Sequence, residues 1–240
     1  RYLIWWVVAC WEAARFRPDV LYYFNIPETL GPGVIGAKVI SRATLVLDVR
    51  SAWIPILRDR GVSGALLLVA RWLEGMVFSH SDSLTIPNDA LRGYAFESGV
   101  DPSRRHLRVP NYADEDIFNT EVRAHSKKGQ VVAFSGSLFA KEGVDMLILA
   151  MELVPWADLW IFGDGPERPK LENIAGKKLG ERVRFFGHLE QKELARYLAA
   201  ADVCVIPLKP SAATEYSTPE SVLKFAEYTS LGRKIVATSV

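Results

Sequence analysis

The residues best suited to chemistry lie in the stretch YSTPESVLKFAEYTSLGRKIVAT, residues 216–238. Thr218 followed by Pro219 predicts a helix start, because threonine suits the N-cap and proline's fixed φ and missing N–H cost nothing at the first helical position. At about 100° per residue, Glu220, Lys224 and Glu227 share an arc of about 60°, while Val222, Phe225, Ala226 and Thr229 point the opposite way. This predicts one charged face and one core face. Free N–H groups at the start of such a helix, from Glu220 to Val222, suit a phosphate, and Lys224 one turn in adds positive charge. A carboxylate at Glu227, one turn deeper, suits sugar or ribose hydroxyls. The same spacing also suits plain solvated ion pairs, so the helix needs support from the rest of the chain. Gly232 predicts a left-handed helix end, with IVAT following at once as a strand.

The elements that would position these residues alternate between strand and helix patterns. The first half reads as a helix to about Phe16, strand DVLYYFN, a helix after the glycines 31–36, and strand ATLVLDVR. An apolar helix around 62–78, strand SLTIP, a helix from Asn88 to Ser98 and the short strand HLRVP follow. The second half repeats the scheme with strands VVAFSG, DLWIFGDG, RVRFFGHL, DVCVIPL and KIVAT, separated by four helices. Such alternation implies parallel strands with right-handed crossovers, hence doubly wound α/β sheets. The polar segment 114–129 breaks the pattern and reads as a linker between a domain at 1–113 and a domain at 130–240. Three strands of the second half end at glycines, Gly136, Gly163 with Gly165, and Gly187, where a ligand can approach the carboxyl edge of the sheet.

At 240 residues, with 49 % hydrophobic and 24 % charged residues, the chain has the composition of a soluble globular protein of one or two domains, not of a disordered one. A net charge of +1 and the absence of a Lys/Arg run argue against nucleic acid as partner. No Cys/His cluster of metal-ligand spacing is present, so no metal site is expected. Cys10 and Cys204 lie far apart, and Cys204 sits in the apolar run VCVIP, which suits a reduced cytoplasmic core thiol. An arginine at residue 1 inside a helical pattern, and a last residue just after a strand, read as a piece of a longer chain. The run YLIWWVVACW is too short to span a bilayer, and Arg71 and Glu74 interrupt the stretch 62–78. Core helices are the first reading of both. Trp5, Trp6, Trp11 and Trp72 also suit a peripheral contact at the inner face of a membrane.

No GxGxxG fingerprint, P-loop or nucleophile elbow is present, which disfavours dehydrogenases, NTPases and triad hydrolases. The ordered series SGSLFAKEGVD, IFGDGPE, VRFFGHL, AADVCVIPL and VLKFAEYTSLGRKIVAT resembles the donor domain of family 4 glycosyltransferases of the GT-B type. In the first half, DVRSAW and ESGVDPSRRHLRVPNYADEDIF are similar to the end of that family's acceptor domain. The resemblance implies two Rossmann-like domains facing across a cleft and transfer of a sugar from a nucleotide-diphosphate donor to an acceptor hydroxyl, with retention. It implies no cofactor and no protein-bound metal, and an acceptor that is a saccharide or lipid-linked, as in polysaccharide or glycolipid assembly.

As the glycosidic bond breaks, negative charge grows on the leaving diphosphate, so fixed donors aimed there lower the barrier. By resemblance these are the Gly136 and Ser137 backbone, Lys141, the start of the last helix at Ser221, Val222 and Leu223, and Lys224. Glu227 would hold the ribose, His188 and Leu189 would meet the base beside Gly163 and Gly165, and Glu220 would touch the donor sugar. Ser137 and Glu142 stand where the family commonly has arginine and lysine, so charge compensation rests on Lys141 and Lys224. On the acceptor side, Asp48 and Arg50 are the polar candidates at a strand end. Two other readings stay open: a degenerate relative acting as a binding or scaffold subunit, and a sugar-nucleotide epimerase on the same architecture.

Overall fold

The computed structural model describes residues 2–25, 31–211 and 214–239, apart from the side chains of Tyr2, Leu3 and Glu220. The chain divides into two compact units, 1–110 with 215–217, and 111–214 with 218–240.

The first unit runs α1 (Tyr2–Phe16), β1 (Val20–Phe24), α2 (Gly31–Ser41), β2 (Thr44–Asp48), α3 (Trp53–Asp59), α4 (Gly64–His80), β3 (Ser83–Ile86), α5 (Asp89–Glu97) and β4 (Arg105–Arg108). Its strands form a parallel sheet in the order β1-β2-β3-β4. Alternate side chains point to opposite faces, so Tyr23, Leu45, Leu47, Leu84 and Ile86 share one core with Val77 and Phe78 of α4 and Leu91, Tyr94 and Ala95 of α5. On the other face Val20, Tyr22, Phe24 and Leu107 are exposed. The helix predicted after the glycines 31–36 instead contains them. A Cβ at Gly33 would lie 2.7 Å from the Trp6 Cα, and one at Gly36 would lie 2.6 Å from the Cys10 sulfur. These glycines let α1 pack against α2 backbone to backbone rather than making a turn. Asn88 caps α5 as its sequence predicts, its side-chain oxygen accepting from the Leu91 N–H at 2.7 Å.

The second unit runs β5 (Gln130–Ser135), α6 (Val144–Ala150), β6 (Ala157–Phe162), α7 (Arg168–Lys178), β7 (Val183–Gly187), α8 (Gln191–Ala200), β8 (Val203–Ile206), α9 (Leu223–Ser230) and β9 (Lys234–Ala237). The sheet is again parallel, in the order β7-β6-β5-β8-β9. Here both faces are covered. Val131, Ala133, Trp160 and Phe162 pack with Leu198 of α8 and Tyr228 of α9, while Phe134, Leu159 and Ile161 pack with Ile148 of α6 and Leu171 of α7. The segment 114–129, expected to be a linker, is packed into this unit: Phe118 is 1 % exposed, and Ile117 and Val122 flank the same core. Three apolar residues among many charged ones are enough to anchor an irregular segment, and a composition average conceals them. Among the described residues no helix is long and apolar enough to cross a membrane.

Candidate ligand site of the second unit

The carboxyl ends of β5 and β6 are drawn together by glycine. The Gly136 N–H donates to the Phe162 carbonyl at 3.0 Å, and the Gly163 N–H donates to the Gly187 carbonyl at 2.7 Å. At Gly163 (φ +118) a Cβ would lie 2.0 Å from the Gly136 carbonyl oxygen, so only glycine permits this approach. The loop after Gly136 is tied to the one after Gly163, because the Leu138 N–H donates to the Asp164 carbonyl at 2.9 Å and the Glu167 N–H to the Leu138 carbonyl at 3.1 Å. The Gly136 amide, expected to face a phosphate, is therefore spent within the sheet edge. Ser137 is exposed beside it.

Helix α9 begins later than its Thr-Pro start predicts. Pro219–Ser221 form one 3-10 turn, Val222 is extended (φ −91, ψ 142), and the α-helix starts at Leu223. Within the turn the Ser221 N–H donates to the Thr218 carbonyl at 2.8 Å and the Val222 N–H to the Pro219 carbonyl at 3.4 Å. Those two amides are engaged, which corrects the expectation that they face a ligand. Leu223 and Lys224 now occupy the first helical turn, where N–H groups lack an intrahelical acceptor. The Thr218 hydroxyl caps nothing: its oxygen is buried and has no partner among the described residues. Its backbone N–H instead donates to Ser221 Oγ at 2.9 Å. The side chain of Glu220 lies outside the described residues.

Val222 and Phe225 pack against the core as their face predicts, but Glu227 is buried at 8 % exposure and Thr229 is exposed, against the predicted faces. Tyr228, fully buried, reaches the end of β5, where its hydroxyl accepts from the Ser135 N–H at 2.8 Å. Burial pushes the Glu227 carboxyl up from its ordinary value, and the Lys224 charge pulls it partly back. Lys224 lies over the Phe134 ring, 4.5 Å from its centroid, and its Nζ would lie 2.7 Å from a Cβ at Gly136. The structure thus gathers Gly136, Lys224 and Phe134 at the carboxyl end of β5, with Glu227 one turn along α9. Gly232 takes the predicted left-handed conformation (φ +65) and returns the chain to β9.

Three participants were given no role from the sequence, Glu142 having entered only as a departure from the family motif. Glu142, in a 3-10 turn over Ala140–Glu142, pairs with Lys224 at 2.6 Å. Phe134 reads simply as a core strand residue. Asn111, within the quoted stretch ESGVDPSRRHLRVPNYADEDIF but not singled out there, donates from Nδ2 to the Ser221 carbonyl at 2.6 Å and so holds the segment before α9. Lys141 is exposed on the same turn as Glu142. At the neighbouring strand end His188 is exposed and Leu189 packs against the core. Arg168 brings Nη1 to 3.3 Å of the place a Gly187 Cβ would take, paired with Asp164 and Glu172. Gly165 lies against the Leu138 backbone.

In the first unit, Asp48 has no exposed surface and accepts from Arg50 Nε at 2.9 Å and from the Thr85 hydroxyl at 2.9 Å. Arg50 also donates to the Val109 carbonyl at 3.0 Å, and its N–H to Asn25 Oδ1 at 2.8 Å. The Asn25 carbonyl in turn accepts from the Trp53 indole. Asp48 and Arg50 knit the carboxyl ends of the four strands together, an arrangement in which Asp48 is enclosed and orients Arg50. Among the described residues no group of three or more His, Cys, Asp or Glu side chains could hold a metal ion.

Comparison with known proteins bears on residues 129–240, which match the family described as Glycosyl transferases group 1. The chain is 26 % identical over 208 residues to the sulfoquinovosyl transferase of Arabidopsis thaliana, a match covering 82 % of this chain and 39 % of the plant protein. It is 35 % identical over 117 residues to a GDP-mannose-dependent monoacylated phosphatidylinositol monomannoside mannosyltransferase of Corynebacterium glutamicum, covering 47 % of this chain and 29 % of that protein. Among solved structures, the Anabaena protein HepE in complex with UDP-glucose superposes with a TM-score of 0.71 at 20 % identity, covering 97 % of this chain and 62 % of that one. The chain therefore spans well under two thirds of the curated relatives' length. Its two parallel α/β units share the GT-B fold.

Proposed function

We propose, from the membership of residues 129–240 in the family of glycosyl transferases group 1, that the protein is a glycosyltransferase that takes a sugar from a nucleotide-diphosphate donor. The observation that carries this reading is a lysine and a buried carboxyl on one helix, set against a glycine-lined carboxyl edge of a parallel sheet. Lys224 would meet the diphosphate, where its charge matters most as the leaving group gains negative charge. Glu227, buried and with its carboxyl held above the ordinary range, would accept from ribose hydroxyls. His188 and Leu189 would border the base. Transfer would proceed with retention, to a saccharide or lipid-linked hydroxyl, without a protein-bound metal.

The relatives support a donor of this class: one is named for GDP-mannose and one was solved with UDP-glucose. The Corynebacterium relative is named for a phosphatidylinositol-based acceptor, which suits a lipid-linked acceptor here. Trp5 and Trp11 of α1 and Leu66, Leu68 and Trp72 of α4 are exposed, and we assign these helix faces to peripheral contact with a cytoplasmic membrane surface.

The test is calorimetric titration of the full-length protein with UDP- and GDP-sugars, followed by product analysis with and without acceptor. Lys224→Ala is expected to weaken donor binding about tenfold or more, the usual worth of a charge-assisted contact. No binding by any nucleotide sugar, together with an unaffected Lys224→Ala, would sink the reading. Conversion of free donor without acceptor would indicate an epimerase. The ion pair between Glu142 and Lys224 favours one second reading, a scaffold relative, which would bind donor and turn over no acceptor.

A further inference from the structure

Lys224 already has an anionic partner. Glu142 Oε2 lies 2.6 Å from Lys224 Nζ, and the two side chains are only 12 % and 11 % exposed. The turn that carries Glu142 is held on both sides. It leaves through Gly143 in the left-handed conformation (φ 69), and the Lys141 carbonyl accepts from the Lys209 N–H at 2.9 Å. Lys209 is itself tied to Asp145 at 2.6 Å. The carboxylate is thus anchored through the backbone, with the lysine between it, the Phe134 ring and the bare backbone of Gly136. An ammonium so enclosed has little room for a second anion while the first remains. Carboxylate and phosphate oxygens are equivalent partners for it in charge and hydrogen-bond geometry.

We propose that Glu142 is a specificity-determining residue of the donor site: an internal anion that occupies Lys224 in the free protein and that the ligand's diphosphate must displace. The inference rests on the donor-site reading above and deepens it. Binding then exchanges one anion for another at Lys224, so the site's affinity for phosphate is set by the Glu142 carboxylate as much as by the lysine. Removing the carboxylate raises the local charge by one, removing the lysine lowers it by one, and removing both restores it.

The experiment is titration of the full-length protein with UDP and GDP at one fixed ionic strength, using wild type, Glu142→Gln, Lys224→Met and the double variant. Glu142→Gln is expected to bind the diphosphates about tenfold more tightly than wild type and Lys224→Met about tenfold more weakly, with the double variant within about threefold of wild type. Uridine and guanosine, which carry no phosphate, are expected to bind all four proteins alike. Should Glu142→Gln bind no tighter than wild type, or the double variant be as weak as Lys224→Met, the inference falls while the donor-site reading stands. Should none of the four bind a nucleoside diphosphate, both fall together. If Glu142→Gln does not fold, the comparison of Lys224→Met with the double variant decides: affinity restored in the double variant supports Glu142 as the anion that opposes the diphosphate, and no restoration overturns it.

Discussion

A methyl group at residue 163 would stand 2.0 Å from the Gly136 carbonyl oxygen, on a backbone with φ +118 that side chains rarely adopt. Both penalties act at once, so Gly163→Ala is expected to destabilise the second unit by about 2 kcal/mol or more. A fall in the denaturation midpoint with unchanged slope checks this, and an alanine variant as stable as wild type would contradict it. The sequence pointed at this glycine from its place after a strand, and the reason proved to be the approach of the neighbouring backbone. Lys224 and Glu227 were legible in the same way, as residue types at a spacing. Glu142 was noticed only as a departure from a motif, because its partner lies far along the chain and no local pattern records that pairing.

At the scale of elements, α4 and α5 are joined by a buried polar contact. Glu74 of α4, 1 % exposed, accepts from the Tyr94 hydroxyl of α5 at 2.6 and 2.7 Å, and Tyr94 also accepts from the Ile54 N–H at 3.2 Å. Burial pushes the Glu74 carboxyl up to about 7, against the opposing pull of the Tyr94 hydrogen bond and the Arg71 charge. A folded-state value above the unfolded one means the group favours folding fully below the unfolded value. That contribution is lost as pH rises through the folded one. The first unit is therefore expected to lose on the order of 3 kcal/mol between about pH 4.5 and 7. Glu74→Gln should flatten that dependence, and a variant with an unchanged stability profile would refute it. In the sequence Glu74 served only to interrupt an apolar stretch; its partner on the next helix was invisible. The start of α9 has the same lesson. Thr-Pro at 218–219 does mark a turn, but the 3-10 geometry and the extended Val222 postpone the helix to Leu223, and packing buries Glu227.

For the molecule as a whole, two units with separate cores predict thermal unfolding in more than one calorimetric step. The step belonging to the first unit should move between pH 5 and pH 8, since Glu74 lies there. A single pH-insensitive transition would count against this. The apolar faces of α1 and α4 give a second expectation at this scale: co-sedimentation with anionic vesicles that weakens when Trp5 and Trp11 are replaced by alanine. Absence of any vesicle binding would remove the membrane assignment and leave the donor site untouched.

What the amino-acid order settled unaided was local: nine strands and most of the helices between them, though not α3, the parallel α/β class, the glycines at the strand ends, and a family resemblance borne by the second half. These follow from period, turn chemistry and short motifs, each contained within a few neighbouring residues. Tertiary structure alone decided that Phe118 pins the supposed linker to a core, that the Gly136, Ser221 and Val222 amides are spent internally, and that Glu142 holds Lys224. Each of these depends on which side chain or carbonyl from a distant segment arrives nearby, and packing determines that, not spacing along the chain.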